Sequence, residues 1–147
     1  MENINHFNIR VYGLLLENNR LLIEDQEYKK RDIIKFPGGG LHFGEGTIEC
    51  LQRELKEELN MEIEVMEHFY TTDFYQRSTF KESDQVISIY YFIKRQYPQQ
   101  PINYSWQEVA NEQKVKFRWV DIKDFTEDTV TFPIDKKVAK MLLNNFR

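Results

Sequence analysis

The sequence predicts an α/β protein in which one mixed β-sheet is covered by helices on both sides. Residues Gln85 to Gln96 are apolar on both faces, with Ile87, Ile89, Tyr91 and Ile93 on one and Val86, Tyr90 and Phe92 on the other. A strand apolar on both faces belongs in the middle of a sheet. Two well-separated amphipathic helices, one inside Gly39 to Met61 and one beginning at Pro133, have strands before and after them. That order calls for a sheet with a helix packed on each side.

The elements follow in chain order. Phe7 to Leu16 and Leu21 to Asp25 read as strands around a turn at Glu17 to Arg20, with Asn18 and Asn19 as turn formers. Gln26 to Lys35 is polar and reads as a loop; it holds the densest basic cluster, Lys29, Lys30 and Arg31, suited to a solvated surface or to phosphate contact. Phe36-Pro37-Gly38-Gly39-Gly40 breaks any regular element. Beyond the first helix, Glu62 to Tyr75 and Gln85 to Gln96 are long strands. The aromatics Phe69, Tyr70, Phe74, Tyr75 and Phe80 between and within them are expected mainly in the core. Tyr97 to Lys114, with Pro98 and Pro101, reads as a long irregular segment. Val115 to Val120 is a strand and Asp121 to Phe125 a short helical turn. Ile134, Val138, Met141 and Leu142 then repeat at helical spacing behind Pro133, which suits a first helical position.

The 147 residues, 41% hydrophobic and 30% charged, are expected to form a single domain, 1–147. A net charge of -4 argues against a nucleic-acid groove, which is built from Lys and Arg clusters. Cys50 is the only cysteine, so no intrachain disulfide is expected and the thiol reads as small and partly buried. No signal-peptide pattern or apolar run of membrane-spanning length is visible, so a cytoplasmic location is expected.

The chemistry concentrates in Gly39 to Met61, GGLHFGEGTIECLQRELKEELNM. At about 100° per residue, Glu54, Glu57 and Glu58 share a sector of roughly 100°, while Ile48, Leu51, Leu55 and Leu59 form a separate apolar stripe. Like charges on adjacent turns lower helix stability by a few tenths of a kcal/mol per pair, so a structural helix gains nothing from them. An oxygen-rich carboxylate cluster suits Mg2+, which binds through one or two carboxylates and completes its shell with water and phosphate. Arg53, one turn after Glu49 and one turn before Glu57, can fix a neighbouring carboxylate. The glycines are not a P-loop, because Glu45 and Gly46 stand where that motif needs Lys and then Ser or Thr. His42 has no partner at metal-ligand spacing in His6 or His68, so zinc is not supported.

The intervals are those of G-x5-E-x7-R-E-U-x-E-E-x-G-U, U being aliphatic, with only Asn60 departing. A chance match somewhere in such a chain is on the order of one in a million. The stretch resembles the signature of the Nudix (MutT-like) hydrolases, and Phe36-Pro37-Gly38 before it and the strands after it are similar too. Asn60 stands where a left-handed residue closes the helix, and Asn is the usual substitute for Gly there.

The resemblance implies a Nudix α/β/α sandwich with a mixed central sheet and a loop-helix-loop. It implies Mg2+-dependent hydrolysis of a phosphoanhydride in a nucleoside diphosphate derivative, water attacking phosphorus, with Mn2+ as the alternative ion. Carried over residue by residue, Glu54, Glu57 and Glu58 hold metal, with Glu45 supporting the loop or reaching metal through water. Arg53 orients a carboxylate, and Gly38, Gly39, Gly40 and Arg31 meet the substrate. The general base stays open between Glu58 and a loop carboxylate, for which Glu112 matches better than Glu108.

No coenzyme A motif precedes Phe36, no proline of the ADP-ribose branch lies between Met61 and Tyr97, and Tyr75 is slightly early for the dinucleoside polyphosphate branch. A nucleoside triphosphate or nucleotide sugar is the expected substrate. The rival reading is a non-catalytic nucleotide sensor, which would show lost box carboxylates or an attached DNA-binding domain; the chain has neither. An isomerase on the same fold would need a further acid and base that the sequence does not display. The small-molecule nucleotide is the expected partner, with neither nucleic acid nor membrane, and the resemblance adds homodimer as an assembly.

Overall fold

The computed structural model describes residues 3–110 and 112–146. Eight strands, His6–Glu17 (β1), Arg20–Tyr28 (β2), Arg31–Lys35 (β3), Gly38–Gly40 (β4), Ile63–Thr71 (β5), Asp84–Arg95 (β6), Gln107–Ala110 (β7) and Gln113–Asp121 (β8), join two helices, Thr47–Leu59 (α1) and Pro133–Asn145 (α2). The sheet runs β5-β6-β1-β2-β8-β7, with β3 on β2 and β4 on β1. β1 and β6 are parallel and the other pairs antiparallel, which makes the sheet mixed.

β6 is central, as its two apolar faces predict. The hairpin between β1 and β2 turns on Asn18 and Asn19, whose φ of 52° and 59° lies in the left-handed region that asparagine tolerates. α1 buries Cys50, Leu51, Leu55 and Leu59 against Val11, Leu15, Leu22 and Phe117 on one face. α2 buries Ile134, Val138, Ala139, Leu142 and Leu143 against Leu14, Ile23 and Tyr90 on the other. Each fully buried leucine contributes about 1.5–3 kcal/mol by leaving water.

Several expectations are corrected. Ile48 is exposed, and the fully buried Cys50 joins Leu51, Leu55 and Leu59 on the inner face of α1. Gln26 to Lys35 is not a loop: it completes β2 and forms β3 around a turn at Lys29 and Lys30, whose φ values of 49° and 64° are left-handed. Its period-2 signal is hidden because one inward position is the charged Lys35. The three glycines are not a break, since they pair as β4 with Tyr12, Val11 and Arg10. β5 stops at Thr71, and Phe74, Tyr75 and Phe80 are exposed. Part of the long segment before β8 is the edge strand β7.

The most consequential feature is a divergence. β1 and β2 pair only at Leu16 with Leu21 and at Glu17 with Arg20. Beyond those positions β1 takes β4 and β2 takes β3, so the connection through Phe36 and Pro37 wedges the two strands apart. The resulting cleft brings Arg10, Tyr12 and Lys35 to one wall.

Candidate active site

α1 begins at Gly46, whose N–H donates to the Glu49 carboxylate at 3.0 Å, and closes on Asn60, which is left-handed with a φ of 50°. Glu49 is therefore used by the cap, and Arg53 turns elsewhere. Its guanidinium donates from Nε and Nη2 to the two oxygens of Glu45 at 2.9 and 2.7 Å, from Nη1 to Glu54 at 3.1 Å and to Glu57 at 3.3 Å, and from Nη2 to the Gly40 carbonyl at 3.0 Å. Bidentate, charge-assisted bonds of this kind fix orientation as well as adding energy. Glu45 also accepts from the His42 N–H at 2.9 Å. The bonds from Arg53, then the one from His42, hold the Glu45 carboxyl down at about 2.

A side chain at Gly39 would have to displace the Glu54 carboxylate, which lies 2.4 Å from where its Cβ would stand. Gly38, at a φ of 149°, would drive a Cβ into Val11 and Tyr12. Gly38 thus lets β4 lie close on β1, and Gly39 leaves room for the Glu54 carboxylate.

Behind Glu58 stands a pair the sequence reading missed. Lys35 Nζ lies 3.2 Å from Glu24 Oε2, with the two side chains 4% and 1% exposed. Burial opposes the Lys35 charge, but Glu24, Tyr12 and Glu58 hold it above the ordinary lysine value. Burial, then the charge of Glu24, pushes Glu58 up to about 9. Glu24 lies within hydrogen-bonding reach of Glu58, yet its Oε1 finds no donor. Two ionised carboxylates so placed need a shared proton or a cation between them. The sequence signal was available: a carboxylate directly after the apolar run Leu21 to Ile23 and a lysine just ahead of Phe36 are charges placed inside strands.

The donor chemistry therefore fits a hard divalent cation, being carboxylate oxygen throughout, with Glu54 and Glu58 half-buried and Glu57 exposed on one side of α1. Among the described residues, no three carboxylate, imidazole or thiol groups converge on one point. Arg53 draws Glu54 and Glu57 to itself in this arrangement, the Glu57 side chain being 57% exposed.

The cleft opens into a cavity of about 500 Å3 between β1, β6, the β2–β3 turn, the 76–81 segment and the start of α2. Arg10, Lys29, Lys35, Arg77 and Lys81 line it with positive charge, and Tyr12, Tyr28, Phe80, Tyr90 and Phe132 with rings. The charges of Glu54 and Glu24 act on Arg10, which ties this wall to the carboxylate helix. Of the predicted basic cluster, Lys29 lines the cavity, whereas Arg31 is exposed and lies over the Phe80 ring at 5.0 Å. Glu112 sits in the β7–β8 turn, where its carbonyl accepts from the Lys29 N–H at 3.1 Å. That is five positions along β2 from Glu24, roughly 16 Å of extended chain. Cys50 is inert, its thiol pushed up to about 12 by burial and by Glu45.

A helix bearing three carboxylates, coupled through Arg10 and Lys35 to a cationic, ring-lined cavity in a mixed-sheet sandwich, suits a phosphate-bearing substrate with an aromatic part. The NUDIX domain family model matches residues 6–142. The RNA pyrophosphohydrolase of Ruthia magnifica subsp. Calyptogena magnifica is 26% identical over 154 residues, spanning 90% of this chain and 82% of that protein. The E. coli ORF135 protein superposes with a TM-score of 0.70 at 17% identity, covering 97% of this chain and 94% of its own. The MutT protein from Methanosarcina mazei Go1 does so with 0.69 at 17%, covering 96% and 95%. The chain belongs to the Nudix hydrolase family. Nudix hydrolases generally use divalent metal ions. No helix among the described residues is long and apolar enough to cross a membrane.

Proposed function

We propose that the protein hydrolyses a phosphoanhydride bond in a nucleoside triphosphate or nucleotide sugar, with Mg2+ held by Glu54, Glu57 and Glu58. The observation that carries this reading is that Arg53 gathers Glu45, Glu54 and Glu57 while Arg10 and Lys35, on which the charges of Glu54 and Glu58 act, line the cavity. When bound, the cation supplies charge neutralisation to the phosphates. Arg53 positions Glu45, Glu54 and Glu57. Arg10 and Lys35 face the anionic part of the substrate, and the rings further along the cavity receive its base. Glu58 and Glu112 are the two candidates for the general base, Glu58 on the metal-holding face of α1 and Glu112 in the β7–β8 turn. Gly38, Gly39 and Gly40 shape the phosphate side of the cleft, and Arg31 lies at its outer rim.

The test is product analysis by chromatography across nucleoside triphosphates, nucleotide sugars, ADP-ribose, dinucleoside polyphosphates and a 5′-triphosphorylated oligoribonucleotide, with Mg2+, with Mn2+ and with chelator. The last substrate is included because the relative from Ruthia magnifica bears the name RNA pyrophosphohydrolase. Turnover that chelator abolishes supports the reading and identifies the substrate branch. Silence in folded protein that still binds nucleotide would favour the sensor. Light scattering during the same preparation tests the homodimer.

A further inference from the structure

The positive wall of the cleft is organised around a tyrosine to which the proposed reaction gives no part. Tyr12, on β1, is 4% exposed, and its hydroxyl accepts a hydrogen bond from Arg10 Nε at 2.9 Å. Among the described residues that phenol is the sole hydrogen-bond partner of the Arg10 side chain, and no carboxylate lies within ion-pairing distance of it. A carboxylate would hold the guanidinium more strongly but cancel its charge, whereas an uncharged phenol oxygen orients it and leaves the positive charge for an anion. With Nε engaged, the two Nη groups are the donors left over, and the planar fork fixes their direction from that one bond. Nη1 stands 3.5 Å from where a Cβ of Gly40 would lie, Gly40 being the register partner of Arg10. The Gly40 carbonyl is held in turn by Arg53. The Arg10 fork thus lies one residue along β4 from Gly39, against which the Glu54 carboxylate rests.

The same ring serves the second cation of the wall. Lys35 Nζ lies 5.3 Å from the Tyr12 ring centroid, within cation–π range, and donates to the Gly38 carbonyl at 3.4 Å. Tyr90 packs on the Tyr12 ring at 5.4 Å between centroids, and a Cβ at Gly38 would stand 2.9 Å from Tyr12 Cδ1, so the ring is confined between β6 and β4. We propose that Tyr12 is the positioning residue of the phosphate-facing wall: its hydroxyl aims the Arg10 Nη groups and its ring stations Lys35 beside them, so that both cations meet the substrate phosphates from fixed directions. This rests on the nucleotide-hydrolase reading of the cleft. Tyr12 acts through Arg10 and Lys35, which keep their charges whether or not the hydroxyl is present.

The experiment measures binding of inorganic pyrophosphate by calorimetry in chelator for wild type, Tyr12→Phe, Arg10→Gln and the double variant, and KM and kcat with Mg2+ for each nucleotide that wild type hydrolyses. Tyr12→Phe keeps the ring and removes only the acceptor. It should weaken pyrophosphate binding by about tenfold, the usual effect of losing one hydrogen bond to a charged group, and raise KM by a similar factor with kcat changed less than about threefold. Because Tyr12 acts through Arg10, the double variant should bind pyrophosphate as Arg10→Gln does, within about twofold. A loss from Tyr12→Phe that persists undiminished in the Arg10→Gln background would make the hydroxyl a packing group and overturn the proposal, as would wild-type affinity in Tyr12→Phe or no pyrophosphate binding by wild type. Should Tyr12→Phe fail to fold, Arg10→Lys, which keeps the charge and loses the fork, carries the test, and wild-type affinity there would overturn the proposal equally. The expected pyrophosphate pattern without hydrolysis of any nucleotide would remove the proposed reaction and leave the positioning role standing. Hydrolysis that Tyr12→Phe leaves unchanged in KM would do the reverse.

Discussion

Lys35 and Glu24 face each other across the β2–β3 pair at 3.2 Å, sealed from solvent directly behind Glu58. A buried pair of this kind is weak evidence for added stability, but breaking it strands one charge in the interior. Lys35→Met should destabilise the protein by about 3–5 kcal/mol in urea denaturation, and Glu24→Leu with Lys35→Met should recover most of the loss. A single-variant loss under about 1 kcal/mol would show that water reaches the pair.

Arg53 ties four oxygens of three carboxylates and a β4 carbonyl into one unit. Lysine keeps the charge but not the fork. Arg53→Lys should weaken Mg2+ affinity or activity by about 10–100-fold, the usual effect of losing a group that orients metal ligands. Magnesium titration of the rate checks it, and an unchanged titration curve with unchanged kcat would contradict the assignment.

Glu57 and Glu58 are expected to be indispensable to the reaction while contributing little to folding. Glu57→Gln and Glu58→Gln should each lower kcat by orders of magnitude with a cooperative unfolding transition retained. A near-wild-type rate for both would sink the metal assignment.

A Cβ at Gly39 would fall 2.4 Å from the Glu54 carboxylate. Gly39→Ala must displace that carboxylate or β4, and we expect at least a tenfold loss of kcat/KM. The structure of the variant would show which of the two moved.

Asp135 confers a pH dependence of definite sign. Burial, partly offset by the Tyr90 hydrogen bond, pushes its carboxyl from 3.8 up to about 6. A raised carboxyl favours the protonated folded protein, so its contribution is complete below pH 3.8 and is lost as pH rises through about 6. The whole span is on the order of 3 kcal/mol. The stability of wild type relative to Asp135→Asn should therefore fall between pH 4 and pH 7, as read by denaturation at each pH. A difference independent of pH would mean that Asp135 titrates alike in the folded and unfolded chain.

The site was legible in part, and the division follows from where the information lies. Glu54, Glu57, Glu58 and Arg53 are neighbours because one helix repeats every 3.6 residues, a relationship contained within a dozen positions. The Asn60 cap and the asparagine turn were readable for the same local reason. Arg10 was not, because it meets Gly40 only through the β1–β4 pairing, and Glu24 and Lys35 were not, because they meet only once the β2–β3 hairpin has formed. β3 and β4 were missed because a buried lysine and three glycines mask the strand pattern, and their pairing depends on β1 and β2 already being in place.

By itself, then, the sequence determined the box helix, its carboxylate face, its cap and the family, since these depend on contacts within one or two turns. Only the tertiary structure decided that β1 and β2 part after two residue pairs, that a cavity opens where they do, and that Asp135 from the far end of the chain reaches it. A cleft is made by the relative placement of distant elements. Burial, which gives Glu58, Lys35 and Asp135 their unusual electrostatics, is a property of the packed whole that no local pattern records.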